Sequence, residues 1–497
     1  MHKIYNIFKE KFEKLQLLQE LLSNKIKTLT YVKSEINSFF SQIVYLGENT
    51  ESGILAIVAD DEVIDKIYSY LKSEFSSLKR DVTIFPSYNL FFYECNKTDR
   101  EESFFRVEAL NNLYFKNGIV LTTPLALLFP TISIEKLAEM KIILHKDDYY
   151  DIDDFISCII KLGFTRAEHV YDFGTFAFRG EVVDVFLHPT AQPVRIIFDG
   201  DRVEKIRRFE IDTSRIIEEL PSIEILPISE FFITENPKNQ FIDEIYSQNS
   251  LDSDAANYAQ DLQNNELYSI LWSFSKLSTE KKYLLNYVKY TDFVCTFDYQ
   301  EVENIFELEF NNSLKAFKNL DLKGLSAPSE FLITKEDFKR LTRDLKNIYF
   351  MTSANSKIKE NVYCMNIATI EPFKNRFEEF RQIYEQRINN GSHLFFVTSD
   401  EEQVRRLSIL FSKLKFSIIE DNILKGFYDE LTDAYYYTPD ELIEYRVHSK
   451  SSGSFQTEFI ESTLDIKPGE YVVHIHHGIG VYEGLKRLNI LNEEKDY

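Results

Sequence analysis

The sequence predicts a multidomain α/β protein: a parallel-sheet domain with a small α+β domain inserted into it, a second α/β domain, and the beginning of a small β module. Three observations carry this reading. Apolar runs of strand length alternate with amphipathic helical segments in the first third of the chain. A strand-dominated stretch with a strong hairpin signal then interrupts the alternation. A β-α-β unit and a glycine-bearing strand pair follow towards the end. At 497 residues the chain exceeds what one hydrophobic core organises, so several domains are expected from size alone. With 44% hydrophobic and 14% aromatic residues, it has the apolar side chain to fill them.

From Ile4 to Leu22 apolar residues recur at helical spacing with Lys and Glu between them, which predicts an amphipathic helix, and residues 1–35 are assigned as an N-terminal helix. GILAIVADDEVIDKIYSYLKSEF (Gly53 to Phe75) gives an apolar run, an acidic pair suited to a helix start, then helical periodicity: a β-α step. Val82 to Ser87 repeats the strand signal and Glu102 to Phe115 the helix, while Gly118 to Thr123 and Met140 to Lys146 add further strands. Such alternation of buried strands and helices argues for a parallel sheet. We place its first part at 36–147 and its second at 212–346.

The pattern changes at Asp151. DIDDFISCIIKLGF sets Ile152, Phe155, Ile156, Ile159 and Ile160 on one helix face, with Gly163 as its stop. Thr175 to Phe186 is β-rich, and Val194 to Ile211 reads as two strands around Asp199-Gly200, a hairpin signal. These make the inserted α+β domain, 148–211. Between 212 and 346 only short strand-like pieces such as IEILPI and FVCTF stand out. In the next α/β domain, 347–447, His393 to Asp421 forms a β-α-β unit. Ser399 and Glu402 have capping-box spacing there, and Val404, Leu407, Leu410, Phe411 and Leu414 should face the sheet. HSKSSGSFQ (His448 to Gln456) reads as part of a linker, 448–466. Lys467 to Ile490 reads as two strands around Gly478 and Gly480, opening the β module at 467–497.

Composition narrows the function. Acidic residues outnumber Lys plus Arg 80 to 57, a net charge of −23. That field repels nucleic acid and favours protein partners with a basic face. Cys95, Cys158, Cys295 and Cys364 stand far apart, so neither a disulfide framework nor a zinc knuckle is expected, and a cytoplasmic setting fits. No export or membrane signal is read. No GxxxxGK[ST] occurs, and YLGENTESGILAIV at the strand taken as first has no lysine to hold a phosphate. The first α/β domain is therefore expected to be a scaffold without ATP hydrolysis. His474 and His476 alternate away from His477, so no metal is assigned. No hydrolase, metalloprotease or kinase motif supports a catalytic residue. Arg179 is a good docking anchor if exposed, because guanidinium pairs bidentately with carboxylates.

Three segments resemble, in order, parts of the bacterial transcription-repair coupling factors, the Mfd family, whose front part resembles the excision-repair protein UvrB. VTIFPSYNLFFYE, FFRVEALNNLYF and GIVLTTPLALL are similar to the UvrB-like domain, with Arg106 where the family's arginine is expected. GFTRAEHVYDFGTFAFRGEVVDVFLHP with RIIFDGDRVEKIRRFEIDTSR is similar to the family's UvrA-binding domain. GEYVVHIHHGIGVYEGLKRL resembles the start of its RNA-polymerase-interacting domain, a CarD/Tudor-like module. The resemblance implies transcription-coupled nucleotide excision repair, with UvrA and the RNA polymerase β subunit as partners. It suggests Arg166, Arg179, Gly180 and Phe186 for UvrA, and Arg487 and Leu488 for polymerase. In the full-length family an ATP- and Mg-dependent motor translocates on DNA and releases stalled polymerase. This sequence lacks that motor, so no cofactor is expected in it and weak or no DNA binding, while an enzymatic activity of its own stays open. Two other readings stay open: a UvrB-like repair protein, which would need a phosphate loop, and an independent α/β hydrolase with a degenerate nucleotide site, which ATPase assay would reveal.

Overall fold

The computed structural model describes residues 3–75, 80–88, 90–94, 100–231, 235–249, 253–278, 281–353 and 361–443, and four strands between 471 and 496. They fall into two units, Met1–Glu444 and Tyr445–Tyr497.

The single helix expected from Ile4 to Leu22 is two, α1 (Lys3–Glu13) and α2 (Gln16–Leu22), separated where Leu15 takes extended backbone. Residues 1–35 are not helical throughout, since they also contain β1 (Thr28–Val32). There follow α3 (Ile36–Asn49), β2 (Ile54–Ile57), α4 (Asp61–Phe75), β3 (Val82–Phe85), α5 (Arg100–Lys116), β4 (Ile119–Thr122), α6 (Pro124–Leu127) and α7 (Ile134–Met140). The stretch from Met140 to Lys146, expected to extend the parallel alternation, instead forms β5 (Ile142–His145). It pairs antiparallel with β12 (Ser222–Ile225), in a separate two-stranded sheet that leads into and out of the inserted domain.

Between those two strands lie α8 (Ile152–Lys161), β6 (Thr165–Arg166), β7 (Thr175–Arg179), β8 (Val182–Val185), β9 (Val194–Asp199), β10 (Arg202–Phe209) and β11 (Ile216–Glu219). The strands form one sheet in the order β11-β10-β9-β8-β7-β6. Asp151 caps α8 by accepting the amides of Asp153 and Asp154, each at 2.9 Å, and Gly163 ends it at φ +97°. Phe155 and Ile159 are buried against the sheet. Ile160, one residue and about 100° further round, is 53% exposed and does not share their face.

Helices α9 (Glu235–Gln248), α10 (Ser253–Gln263), α11 (Leu267–Trp272) and α12 (Phe274–Leu277) precede β13 (Phe293–Phe297). Then come α13 (Tyr299–Lys318), α14 (Pro328–Phe331), α15 (Lys335–Thr342), β14 (Lys346–Phe350) and β15 (Val362–Cys364). The main sheet is parallel, in the order β15-β1-β14-β13-β2-β4-β3. Its inner strands β1, β14, β13, β2 and β4 are almost wholly buried, as parallel sheets covered on both faces require, while the edge strands β3 and β15 are largely half-buried or exposed. Along β2 and β4, Leu55, Ile57 and Val120 enter one core while Ile54, Ala56, Ile119 and Leu121 enter the other.

The third domain adds β16 (Ile367–Thr369), α16 (Phe377–Asn389), β17 (His393–Val397), α17 (Glu401–Leu410), β18 (Ser417–Ile419), β19 (Phe427–Asp429), β20 (Ala434–Tyr437) and α18 (Pro439–Leu442). Its strand order is β16-β19-β20-β17-β18. Asp400, not Ser399, caps α17, accepting the amides of Glu402 at 2.8 Å and Gln403 at 3.3 Å. Ser399 turns to Asn422 Oδ1 at 2.8 Å. Of the five residues expected to face the sheet, Leu407 and Phe411 are buried and Val404, Leu410 and Leu414 half-buried.

In the second unit, β21 (Tyr471–His474) pairs antiparallel with β22 (Gly478–Val481), and β23 (Arg487–Ile490) with β24 (Glu493–Asp496). The expected linker and His476 and His477 lie outside the described residues. Among the described residues no helix is long and apolar enough to cross a membrane.

Candidate partner-docking site

Two hairpins build the outward face of the inserted domain. Gly180-Glu181 joins β7 to β8 and Gly200-Asp201 joins β9 to β10, each a two-residue turn with glycine first. Both glycines take positive φ, +62° and +61°, the backbone such turns demand. A Cβ at Gly180 would meet nothing within 4 Å, so glycine is required there for its backbone freedom and not for space.

Val183, Val185, Ile196 and Phe198 turn into the domain core. Alternation therefore puts Ala177, Asp184, Arg195 and Arg207 on the opposite face, where register places them in one cross-strand row. Arg195 forks onto Asp184, with Nε at 2.7 Å and Nη2 at 2.8 Å, and that bond raises its pKa. Arg207 donates twice to Glu219 Oε1, at 2.9 and 2.6 Å.

Arg179 stands exposed at the hairpin end of β7. Its Nη2 donates to the Glu168 carbonyl at 2.9 Å and lies 3.2 Å from His169 Nε2. These contacts orient the guanidinium without neutralising it. Arg166 is exposed on the edge strand β6. It pairs with Phe176, three residues before Arg179 and so roughly 10 Å away along the strand. Glu168, His169, Tyr171, Arg179, Asp184 and Arg195 line a groove of about 330 Å³ on this face.

Phe186, expected with the partner-facing residues, is only 7% exposed. It packs on Val170, Ala177 and Phe209, which themselves line the groove, so it supports the surface without presenting itself. The sequence reading missed His169, Tyr171 and the Asp184–Arg195 pair. The signal for the pair was a charge set among Val and Ile on each of β8 and β9, whereas His169 and Tyr171, between β6 and β7, carried none.

The inserted domain is fastened to the body at a buried polar hub. Glu230 accepts Arg106 Nε at 2.6 Å and the hydroxyls of Tyr88 and Thr131, while its amide donates to Ser103 Oγ at 3.2 Å. Arg106 gives Nη1 to the carbonyls of Pro86 at 2.8 Å and Ala126 at 3.2 Å. Its guanidinium carbon sits 3.9 Å from the ring centre of Phe85 and 4.2 Å from that of Tyr88. Burial, with the Glu230 carboxylate, drives the Tyr88 hydroxyl well above its ordinary pKa. His188 Nε2, 3.0 Å from Glu108, adds a second tie to α5. In the second unit, Arg487 and Leu488 lie on β23 with Asp496 and Lys495 as register partners.

Two family models match the sequence. Residues 142–231 match the UvrB interaction domain, a span wider than the expected 148–211 and reaching from β5 to just beyond Glu230. Residues 466–497 match the CarD-like/TRCF RID domain. The chain therefore carries a match to a UvrB interaction domain ahead of a match to a CarD-like/TRCF RID domain. Over longer spans it is similar to transcription-repair-coupling factors. It is 23% identical over 403 residues to that of Staphylococcus aureus strain bovine RF122 / ET3-1, covering 73% of this chain and 34% of the relative. It is 24% identical over 463 residues to that of Bacillus subtilis strain 168, covering 84% and 39%. Together the matches align the chain with the N-terminal half of transcription-repair coupling factors. The chain spans between a third and two fifths of the length of these relatives.

Proposed function

We propose that this chain is a docking portion in transcription-coupled nucleotide excision repair, in which the CarD-like module engages RNA polymerase and the inserted domain recruits UvrA. The observation that supports the UvrA half is the exposed Arg179, oriented by a carbonyl and an imidazole beside the groove. A guanidinium that pairs with no carboxylate among the described residues suits bidentate pairing with carboxylates of a partner. Arg166 is a second proposed contact at the β6 edge and not in the groove, since its register partner Phe176 faces the domain core, and Gly180 sets the hairpin that presents Arg179. Arg487 and Leu488 are the proposed contacts to the polymerase β subunit. Joining two docking modules in one chain raises the local concentration of UvrA near a stalled polymerase, to the order of millimolar for short linkers. This role needs no chemistry from these domains. ATP-driven release of polymerase belongs to the motor of the full-length family. A net charge of −23 disfavours DNA contact by this chain alone.

Titration calorimetry with purified UvrA tests the reading. The unaltered chain should bind, and Arg179→Ala should cost at least about 2 kcal/mol, roughly thirtyfold in Kd. A folded chain that does not bind UvrA would sink the recruitment role, and binding unaffected by the substitution would move the contact off this face.

A further inference from the structure

The main sheet changes the direction of its connections between β1 and β14. From β1 the chain crosses through α3 to β2, on the far side of β14, whereas β14 leads to β15 on the far side of β1. Open α/β sheets bind ligands in the crevice beyond the carboxyl ends of strands that diverge in this way, with anionic groups at the following helix N-terminus. A phosphate loop would thus belong after β1, at residues 33–35, and not at the YLGENTESGILAIV segment before β2 where the sequence reading sought it.

The chain closes this crevice with its own residues. Ser34 donates its amide at 3.1 Å and its hydroxyl at 3.0 Å to the Met351 carbonyl, just after β14. Glu35, 3% exposed, turns its carboxylate onto the start of α3. It accepts the amides of Asn37 at 2.7 Å and Ser38 at 2.9 Å, and Asn37 Nδ2 at 2.7 Å. Asn37 carries the closure into the third domain. Its Nδ2 also donates to the Lys425 carbonyl at 2.6 Å, and its Oδ1 accepts the Leu424 amide at 2.9 Å. Lys33 adds a carbonyl bond from the Ile367 amide at 2.9 Å and an ion pair with Glu430 at 2.8 Å.

We propose that Glu35 is an internal anion standing where this topology would place a ligand's phosphate, and that through Asn37 it turns the ligand crevice into a locked joint between the α/β body and the third domain. The same residues would then both fill the place of a ligand's phosphate and hold the third domain against the α/β body. Burial pushes the Glu35 carboxyl up to about 7 against the N–H donors that lower it, so pH 8 keeps it charged.

Hydrogen exchange at pH 8 on the full chain tests the joint. Glu35→Ser keeps a neutral helix cap but removes the anion, so the Ser38 and Leu424 amides should both exchange about tenfold faster. Inorganic phosphate, against chloride at matched ionic strength, should slow both again and leave the unaltered chain unmoved. Asn37→Ala should free Leu424 while Ser38 stays slow. Unchanged Leu424 exchange in either folded variant overturns the joint. Phosphate without effect on Glu35→Ser, or with equal effect on the unaltered chain, overturns the internal anion. Should Glu35→Ser fail to fold, Leu424 in Asn37→Ala decides the joint, and the response of the unaltered chain to phosphate decides the anion.

Discussion

Arg106 and Glu230 are both fully withdrawn from water, a pairing whose desolvation cost is repaid only while every partner is present. Removing one charge strands the other in the core. Glu230→Gln keeps the shape and two acceptor contacts but leaves the guanidinium uncompensated, and should destabilise the first unit by roughly 3 kcal/mol. A lower urea midpoint with unchanged slope would report it. A midpoint equal to that of the unaltered chain would mean the hub is not a charged pair at all. Only one half of this hub was legible in the sequence. Arg106 could be placed from its helix and its resemblance, but Glu230 lies 124 residues away in a chain with 80 acidic residues, and nothing local separates it from the others. Phe186 failed for a related reason. Alternation along β8 correctly turns it away from the main domain core, yet the Val170 segment covers that second face, which no period in the sequence reveals.

Elements whose pairing is local were the readable ones. The β9–β10 hairpin declared itself through Asp199-Gly200 and flanking β-branched residues, one residue short of the actual turn at Gly200-Asp201. Helix α8 did so through Asp151 and Gly163, whereas the turn at Gly180-Glu181 lay within a stretch read only as β-rich. β1 was lost because its neighbours in the sheet, β14 and β15, come from residues 346–364, and because its five residues follow two helices without glycine or proline punctuation. β5 was seen as a strand but assigned to the wrong sheet, since an apolar run does not say whether its partner will be parallel. The hairpins carry a prediction of their own. At φ +62° with open space around it, Gly180→Ala suffers the left-handed backbone penalty, about 1–2 kcal/mol, and no steric one. Gly180→Asn should lose less, because Asn tolerates that conformation. Thermal melts should rank the three chains glycine, asparagine, alanine, and a melt unchanged in the alanine variant would show that the turn relaxes at no cost.

Across the first unit, domains far apart in sequence are fastened by the opening helix. Phe8 and Phe12 are fully buried in a core that also holds Leu29 and Tyr31 of β1 and Phe427, Ala434 and Tyr436 of the third domain. The Phe8 and Phe427 rings lie 5.6 Å apart, Lys11 pairs with Asp429 at 3.2 Å, and the Ile4 amide donates to Asp421 at 2.8 Å. The amphipathic pattern of the first residues made a packed helix predictable, but a helical stripe says nothing of a partner more than 400 residues on. Because α1 touches both bodies, its loss should separate them before it unfolds either. Phe8→Ala removes a ring from the shared core at a cost of roughly 3–5 kcal/mol. Calorimetry should then resolve two transitions in the first unit where the unaltered chain is expected to show one, with the amides of β19 and β20 losing protection ahead of those of β2 and β4. If the variant instead melts once at a lower temperature, with all four strands opening together, α1 is one more layer of a continuous core, and the fastening of the third domain must lie at the crevice contacts of Glu35 and Asn37.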